Sequence, residues 1–131
     1  MTTVATITAA AAALVDTLTA ALAAADLDDV LATTDPVAHR TAALGAGSVL
    51  VGPPVLTWGG VAGGGADAEW TLTLTAAGDY QGAWDRLDGI LCALADSPAL
   101  TLARATPATL TDPTGGEPLP AYVLTLDTTT T

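Results

Sequence analysis

The feature that most constrains the fold of this sequence is a strict alternation from Ala68 to Thr75. Large apolar side chains alternate there with threonines, in the order Trp70, Thr71, Leu72, Thr73, Leu74 and Thr75. Successive side chains of a strand point to opposite faces of its sheet, so the pattern predicts a half-buried strand. One face of that strand is apolar and must be covered, while the other face carries hydroxyl groups.

Two segments with helical periodicity can supply the cover. From Val4 to about Ala25, and again from Tyr80 to Ala95, the larger apolar residues recur at spacings of three and four. The first helix has the option of continuing to Ala32, and we interpret Asp35-Pro36 as the signal that stops it. Residues 33 to 47 are predicted to form a loop.

Four further runs have the composition of strands. They are Ser48 to Val51, Val55 to Trp58, about Leu100 to Leu110, and Ala121 to Asp127. The first two are separated by Gly52-Pro53-Pro54, which forbids one regular central strand across the break. The last two are joined through a turn rich in Pro and Gly between Asp112 and Gly116.

These segments predict an α+β domain in the order α-β-β-α-β-β. We expect one mostly antiparallel sheet of about four strands, with two helices packed on one face. A chain of 131 residues suits a single domain, so we assign residues 1–131 to one unit and expect residues 128–131 to fray.

The charge of the chain argues against two classes of partner. Fourteen acidic residues face three arginines, lysine is absent, and the net charge is −11. Such a surface cannot neutralise phosphates, which argues against sequence-specific nucleic-acid binding and against attraction to an anionic membrane. No uninterrupted apolar run approaches the ~20 residues of a membrane span. The N-terminus lacks a basic region, so we predict no secretion signal.

The residues that usually carry catalysis are scarce. Cys92 and His39 are the only cysteine and histidine, and nothing in their spacing brings them together. We interpret Cys92 as a buried, inert thiol in the second helix, and His39 as a solvent-facing loop residue. One histidine and one cysteine cannot supply the four ligands of a structural zinc site.

The acidic residues that cluster are also interpreted as solvated. The group Asp26, Asp28 and Asp29 lacks the spacing of a calcium-binding loop, and we assign it to the end of a helix. Asp85 and Asp88 lie on the polar side of the second helix, where a dry, concave catalytic site is not expected. We therefore predict no catalytic residue, no cofactor, no metal and no enzyme activity.

The glycine-rich run from Gly59 to Gly65 does not match a phosphate-binding loop, because no Gly-Lys-Ser/Thr follows it. We interpret it as the flexible tip of a hairpin, with a tip that becomes ordered against a neighbouring subunit as the alternative. Together with the turn between the last two strands, it supplies the predicted subunit contacts. Those contacts are Val61, Gly63, Gly64, Asp67, Asp112, Thr114 and Glu117.

Residues from about 48 to 127 carry a resemblance to a known family. The segment Val49 to Pro54 precedes a strand, Glu69 to Leu72 contains a tryptophan, a helix comes next, and Leu119 to Leu126 closes the pattern. Together these phrases resemble the small tail terminator proteins of long-tailed phages that infect actinobacteria.

The resemblance implies a structural role without an active site. It implies a homo-oligomeric ring, usually a hexamer, that caps the tail tube and presents a surface to the head–tail connector protein. Its partners would be further copies of the chain, the tail tube protein and the connector, with DNA passing through the lumen. It would be located in the virion at the head-proximal end of the tail, after synthesis in the host cytoplasm.

Other functions are also compatible with the residues. In the same class, the chain could be another head–tail connector or a tail-completion subunit. In a different class, it could be a small α+β ligand-binding or enzyme domain with its site under the loop from Gly59 to Gly65. A secreted actinobacterial protein is the third alternative.

Overall fold

The computed structural model describes residues 4–58, 66–77, 80–98, 100–110 and 118–126. Within them the elements follow one another as α1 (Val4–Ala24), β1 (Leu31–Thr33), α2 (Pro36–Ala43), β2 (Ser48–Val51), β3 (Val55–Trp58), β4 (Ala66–Glu69), β5 (Thr71–Thr75), α3 (Tyr80–Ala95), β6 (Leu102–Leu110) and β7 (Leu119–Leu126). The predicted fraying of residues 128–131 lies outside the described residues.

The strands form a mixed five-stranded sheet in the order β1-β2-β5-β7-β6, and β3 and β4 form a separate two-stranded ribbon. Strand β1 runs parallel to β2, whereas the other neighbours in the sheet are antiparallel. The α+β class is therefore confirmed. The expectation of about four antiparallel strands and two helices is wrong in detail, because the described residues contain three helices and a parallel edge strand.

One face of the sheet, here called the front face, carries the apolar core. Leu72 pairs with Val51 on one side and with Leu124 on the other, so these side chains lie in a row. Helices α1 and α3 cover that row with leucine and isoleucine side chains. The fully buried leucines and isoleucine are Leu18, Leu22, Leu72, Leu74, Leu87, Ile90, Leu94 and Leu124. The apolar half of the alternation predicted from the sequence thus forms the centre of the core.

Helix α1 ends at Ala24, and the predicted extension to Ala32 is wrong. Asp26 adopts a left-handed backbone conformation with φ of 61°. The amide of Leu27 then donates to the carbonyl of Leu22 at 2.8 Å, and the amide of Asp26 donates to that of Ala23 at 3.1 Å. This pair of bonds is the Schellman arrangement that closes helices, and it turns the chain towards β1.

The segment predicted as a loop, residues 33 to 47, contains α2 and the end of β1. Asp35-Pro36, interpreted from the sequence as a stop, is the start of α2. The carboxylate of Asp35 accepts a hydrogen bond from the amide of Val37 at 3.0 Å, and Pro36 occupies the first turn. Proline cannot continue a helix but is favoured at its first position, so the same dipeptide can end one helix or begin another.

Helix α2 lies on the opposite side of the sheet from α1 and α3. It connects β1 to the parallel strand β2, as a crossover must. Its His39 bonds the side chains of Ser48 and Thr75, which alternate along their strands with the front-face residues Val49 and Leu74. The expectation that all helices share one face therefore holds for α1 and α3 but not for α2.

The predicted strand from Ala68 to Thr75 is divided at Trp70 into β4 and β5. The carbonyl of Trp70 accepts from the amide of Leu126 at 3.0 Å, and the amide of Gly52 donates to the carbonyl of Thr71 at 3.1 Å. Gly52-Pro53-Pro54 interrupts the opposite side at the same level, because proline has no amide to donate. The β3–β4 ribbon thus extends the β2–β5 pair beyond the main sheet.

Candidate functional site: the two faces of the sheet

Most of the residues predicted to contact other subunits lie outside the described residues. Val61, Gly63, Gly64, Asp112, Thr114 and Glu117 belong to this group. Asp67 lies in β4, where it pairs with Thr57 of β3. Asp67 is therefore part of the ribbon beyond the main sheet, and the proposed contacts at both turns remain predictions.

A buried polar cluster joins α2 to the sheet. The Nδ1 atom of His39 lies 2.8 Å from the hydroxyl of Ser48, and its Nε2 atom lies 3.2 Å from the hydroxyl of Thr75. The Ser48 hydroxyl also donates to the carbonyl of Leu31 at 3.1 Å. The exposed fraction is 1% for His39 and 0% for both hydroxyl residues. The prediction that His39 faces solvent in a loop is therefore wrong.

The bonding pattern selects one form of the imidazole. Because the only proton of the Ser48 hydroxyl goes to Leu31, that oxygen accepts from Nδ1–H of His39, and Nε2 accepts from Thr75. Burial lowers the pKa of His39, and the neighbouring Arg40 guanidinium lowers it further. The neutral imidazole is thus the form that the site stabilises.

This cluster does not resemble a working nucleophile and base. The Ser48 hydroxyl is fully buried, so a substrate has no access to it, and its proton is directed to a backbone carbonyl rather than to the histidine. The hydrogen bonds of His39 to Ser48 and Thr75 instead hold α2 against the ends of β2 and β5. The sequence held one signal for this role, since His39 and Ala43, the buried residues of α2, are four positions apart.

Cys92 is exposed on α3, so its predicted burial is wrong. The thiol lies one residue from the apolar stripe of the helix and points away from the core, 3.9 Å from the carboxylate of Asp88. Within the described residues, no group of three or more His, Cys, Asp or Glu side chains is placed to hold a metal ion.

The face of the sheet opposite the core is here called the back face. Within the described residues, its cover comes from α2, at the ends of β2 and β5. The register places Leu50, Thr73, Val123 and Thr106 in one row, and Thr71, Thr125 and Arg104 in the next. Thr106 and Arg104 on edge strand β6 are exposed, and the others are half-buried. These two rows carry hydroxyl and aliphatic groups, one arginine and no acid.

The outer side of α2 carries two exposed apolar residues on the same side of the molecule as the back face. Val37 is 72% exposed and Leu44 is 66% exposed. They lie seven positions apart, on the side of the helix that faces away from His39. Large side chains left in water next to an open sheet face are typical of a surface that meets another protein.

The outer surface of α1 and α3 is acidic, in contrast to the two open rows of the back face. Asp16 on α1 and Asp85 and Asp88 on α3 are exposed, and Asp96 comes directly after α3. Arg86 is the basic residue of this layer, and its guanidinium donates to the carbonyls of Gly45 at 2.9 Å and Ala77 at 2.8 Å. That guanidinium fastens the turns before β2 and after β5, so the carboxylates dominate the layer.

Helix α1 is long and apolar enough to cross a membrane by length and composition, over Ile7–Ala24. Asp16 and three threonines interrupt this segment, so the prediction that no uninterrupted apolar run approaches a membrane span is not contradicted. Only 11% of the segment Ile7–Ala24 is buried, yet Leu18, Ala21 and Leu22 pack into the core against α3 and the sheet. Core helices and signal sequences can have the same length and apolar composition. The packing of these three residues makes α1 part of this domain.

A groove of about 550 Å³ lies between α1 and the start of the β3–β4 ribbon. Its lining includes Ile7, Val15, Pro53 and Trp70, with Asp16 as its charged residue. The small-ligand alternative placed its site under residues 59–65, which lie outside the described residues. The described residues offer such a ligand this groove and a second one of about 650 Å³ between α1 and the end of α3, lined by Ala21, Ala93 and Asp96 among others.

Comparison of the chain with protein-family models, with curated proteins and with solved structures finds no match. Function must therefore be inferred from the residues and from the geometry described above.

Proposed function

We propose that this chain is a structural subunit that assembles with copies of itself into a ring, and that the ring caps a phage tail tube at the end that joins the head. The proposal combines the resemblance of residues 48 to 127 to tail terminators with the uncovered back face. A location in the virion, after synthesis in the host cytoplasm, and a connector partner follow from the same proposal.

The uncovered back face is the observation that carries the proposal. The chain builds a full core on one side of its sheet, and among the described residues the other side has cover only from the eight residues of α2. Exposed Val37 and Leu44, on the outer side of α2, add a second apolar area on the same side of the molecule. A second subunit that packs there would remove this apolar surface from water, which favours association.

Head-to-tail assembly is the arrangement that these surfaces favour. The front and back sides of the subunit differ in shape and in charge, so a contact between unlike sides is head-to-tail. Repeated head-to-tail contacts form either a closed ring or an open filament. A ring with a defined number of subunits suits a protein that ends a tube rather than extending it.

The alternatives have less support in the described residues. Another connector or tail-completion subunit would use the same surfaces and differs from our proposal only in its partner. A ligand-binding or enzyme domain would use one of the two grooves beside α1, and each has a single charged side chain, Asp16 or Asp96, among its described lining residues. The buried Ser48–His39 pair does not favour an enzyme, because solvent does not reach it.

Native mass spectrometry over a range of concentrations, with negative-stain images of the same sample, tests the proposal. The protein is measured alone and with purified tail tubes of a long-tailed actinobacterial phage. We expect closed rings, or density at tube ends, with one dominant copy number. A chain that stays monomeric and leaves the tube ends open contradicts the proposal, and ligand screening of the grooves then becomes the next experiment.

A further inference from the structure

We propose that the back face of one copy, centred on Arg104, packs against the acidic outer surface of α3 on the next copy. This inference rests on the proposed ring and specifies which surfaces form it.

Charge is distributed unevenly between the two surfaces. A chain with a net charge of −11 repels its own copies, so self-association is least costly where acids are absent. The two open rows of the back face contain no acid, and Arg104 is exposed among them. On the opposite side of the molecule, Asp85 and Asp88 are exposed on α3.

Regular secondary-structure elements carry the charged groups of both surfaces. Arg104 lies on β6, where it pairs with Thr125 across the ladder, so a nine-residue strand fixes its position. Asp85 accepts a hydrogen bond from Gln81 at 3.0 Å, one turn earlier on α3. Both partners are thus presented by regular elements, so the contact requires less ordering of the backbone than a contact between loops.

Strand addition at β6, beside Arg104, is the most obvious competing contact, and a proline disfavours it. Strand β6 is one edge of the sheet and β1 is the other, and an exposed edge can pair with a strand of another chain. Pro107 lies in the middle of β6, and proline is accepted in an edge strand where its missing amide would otherwise point outward. An additional strand would therefore lose a ladder bond at Pro107, whereas face-to-face packing is not affected.

Reversing the charges tests the contact. We expect Arg104→Glu to raise the concentration of half-maximal assembly by at least about ten-fold, because like charges then face each other. Arg104→Lys should retain assembly. The double variant Arg104→Glu with Asp88→Arg should return the midpoint to within about three-fold of the wild type, since each contact regains an opposite pair. Asp28→Arg, an equal charge change in the turn after α1, is the matched control and should not rescue Arg104→Glu.

The outcomes separate this contact from the proposed function. Circular dichroism first shows that each variant is folded. Rings that form normally with Glu at position 104, or a double variant that rescues no better than the Asp28 control, overturn the contact and leave the ring intact. A wild-type chain that never assembles overturns both. Charge-dependent rings that ignore tail tubes support the contact and contradict the tail function.

Discussion

The two faces of the sheet differ although they are made by the same strands. On the front face, Leu72, Leu74 and Leu124 are fully buried beneath α1 and α3. On the back face, Thr73, Val123 and Thr125 alternate with them and remain half-buried. One alternating sequence thus gives the domain its stability on one side, and on the other side leaves a surface whose composition is free to serve contact.

The largest effect is expected when a mutation disrupts the front face. Leu72→Ala should lower the free energy of unfolding by about 3 kcal/mol, since it removes a fully buried side chain and leaves a cavity. Its neighbour Thr73 points to the other face, so Thr73→Ala should cost less than about 1 kcal/mol. Urea unfolding of both variants, at a concentration where the protein is monomeric, measures the difference. Equal losses would show that the two faces contribute alike.

The next effect concerns the one place where the described back face is buried. His39→Leu should lower the free energy of unfolding by about 2 kcal/mol, because the Thr75 hydroxyl loses its partner in a site closed to solvent. Thr41→Ala, on the exposed side of the same helix, should change it by less than about 0.5 kcal/mol. If the histidine variant were as stable as the threonine variant, α2 would not depend on the cluster.

A smaller effect is expected at the start of α2. Asp35→Ala removes the side chain that accepts the Val37 amide, and should cost about 1 kcal/mol. Asp28→Ala removes an exposed acid that caps no helix, and should be nearly neutral. Thermal unfolding followed by circular dichroism compares the two, and a larger loss in the Asp28 variant would contradict the assigned cap.

The smallest effect is a dependence on pH. Burial lowers the pKa of His39 in the folded chain, so the unfolded chain binds a proton first as the pH falls. The contribution of His39 is then fully present above about pH 6.5, its unfolded value, and is lost as the pH falls towards the lower folded pKa. We expect stability to decline more steeply from pH 7.5 to 5 in the wild type than in His39→Gln. Parallel curves would show that His39 is not held neutral.

The sequence predicted the front face better than the back face. Helical spacing located α1 and α3, and alternation located β5, because burial on one side imposes a period that a single sequence displays. Asp35-Pro36 was misleading, since the same dipeptide is compatible with the end of one helix and with the start of another. Helix α2 has eight residues and buries only His39 and Ala43, so it is too short to show a recognisable helical period.

The polar cluster could not be predicted for a different reason. His39 and Thr75 are 36 positions apart, and their contact exists only because β2 pairs with β5 while α2 crosses over β2. Cys92 illustrates the same limit, since a small rotation of α3 decides whether a residue beside the apolar stripe is buried or exposed. The position of Arg104 on the back face likewise depends on the register between β6 and β7.

Cross-linking between copies tests the central claim most directly, that the back face of one copy meets α3 of the next. Native Cys92 is exposed on α3, and Thr106→Cys places a second thiol on the opposite side of the molecule. With a short bismaleimide, we predict a ladder of linked chains that ends at the copy number of the ring. Thr106→Cys combined with Cys92→Ser, and Asp28→Cys with native Cys92, should give no ladder. An assembled double-thiol variant that links only in pairs, or not at all, would contradict the account.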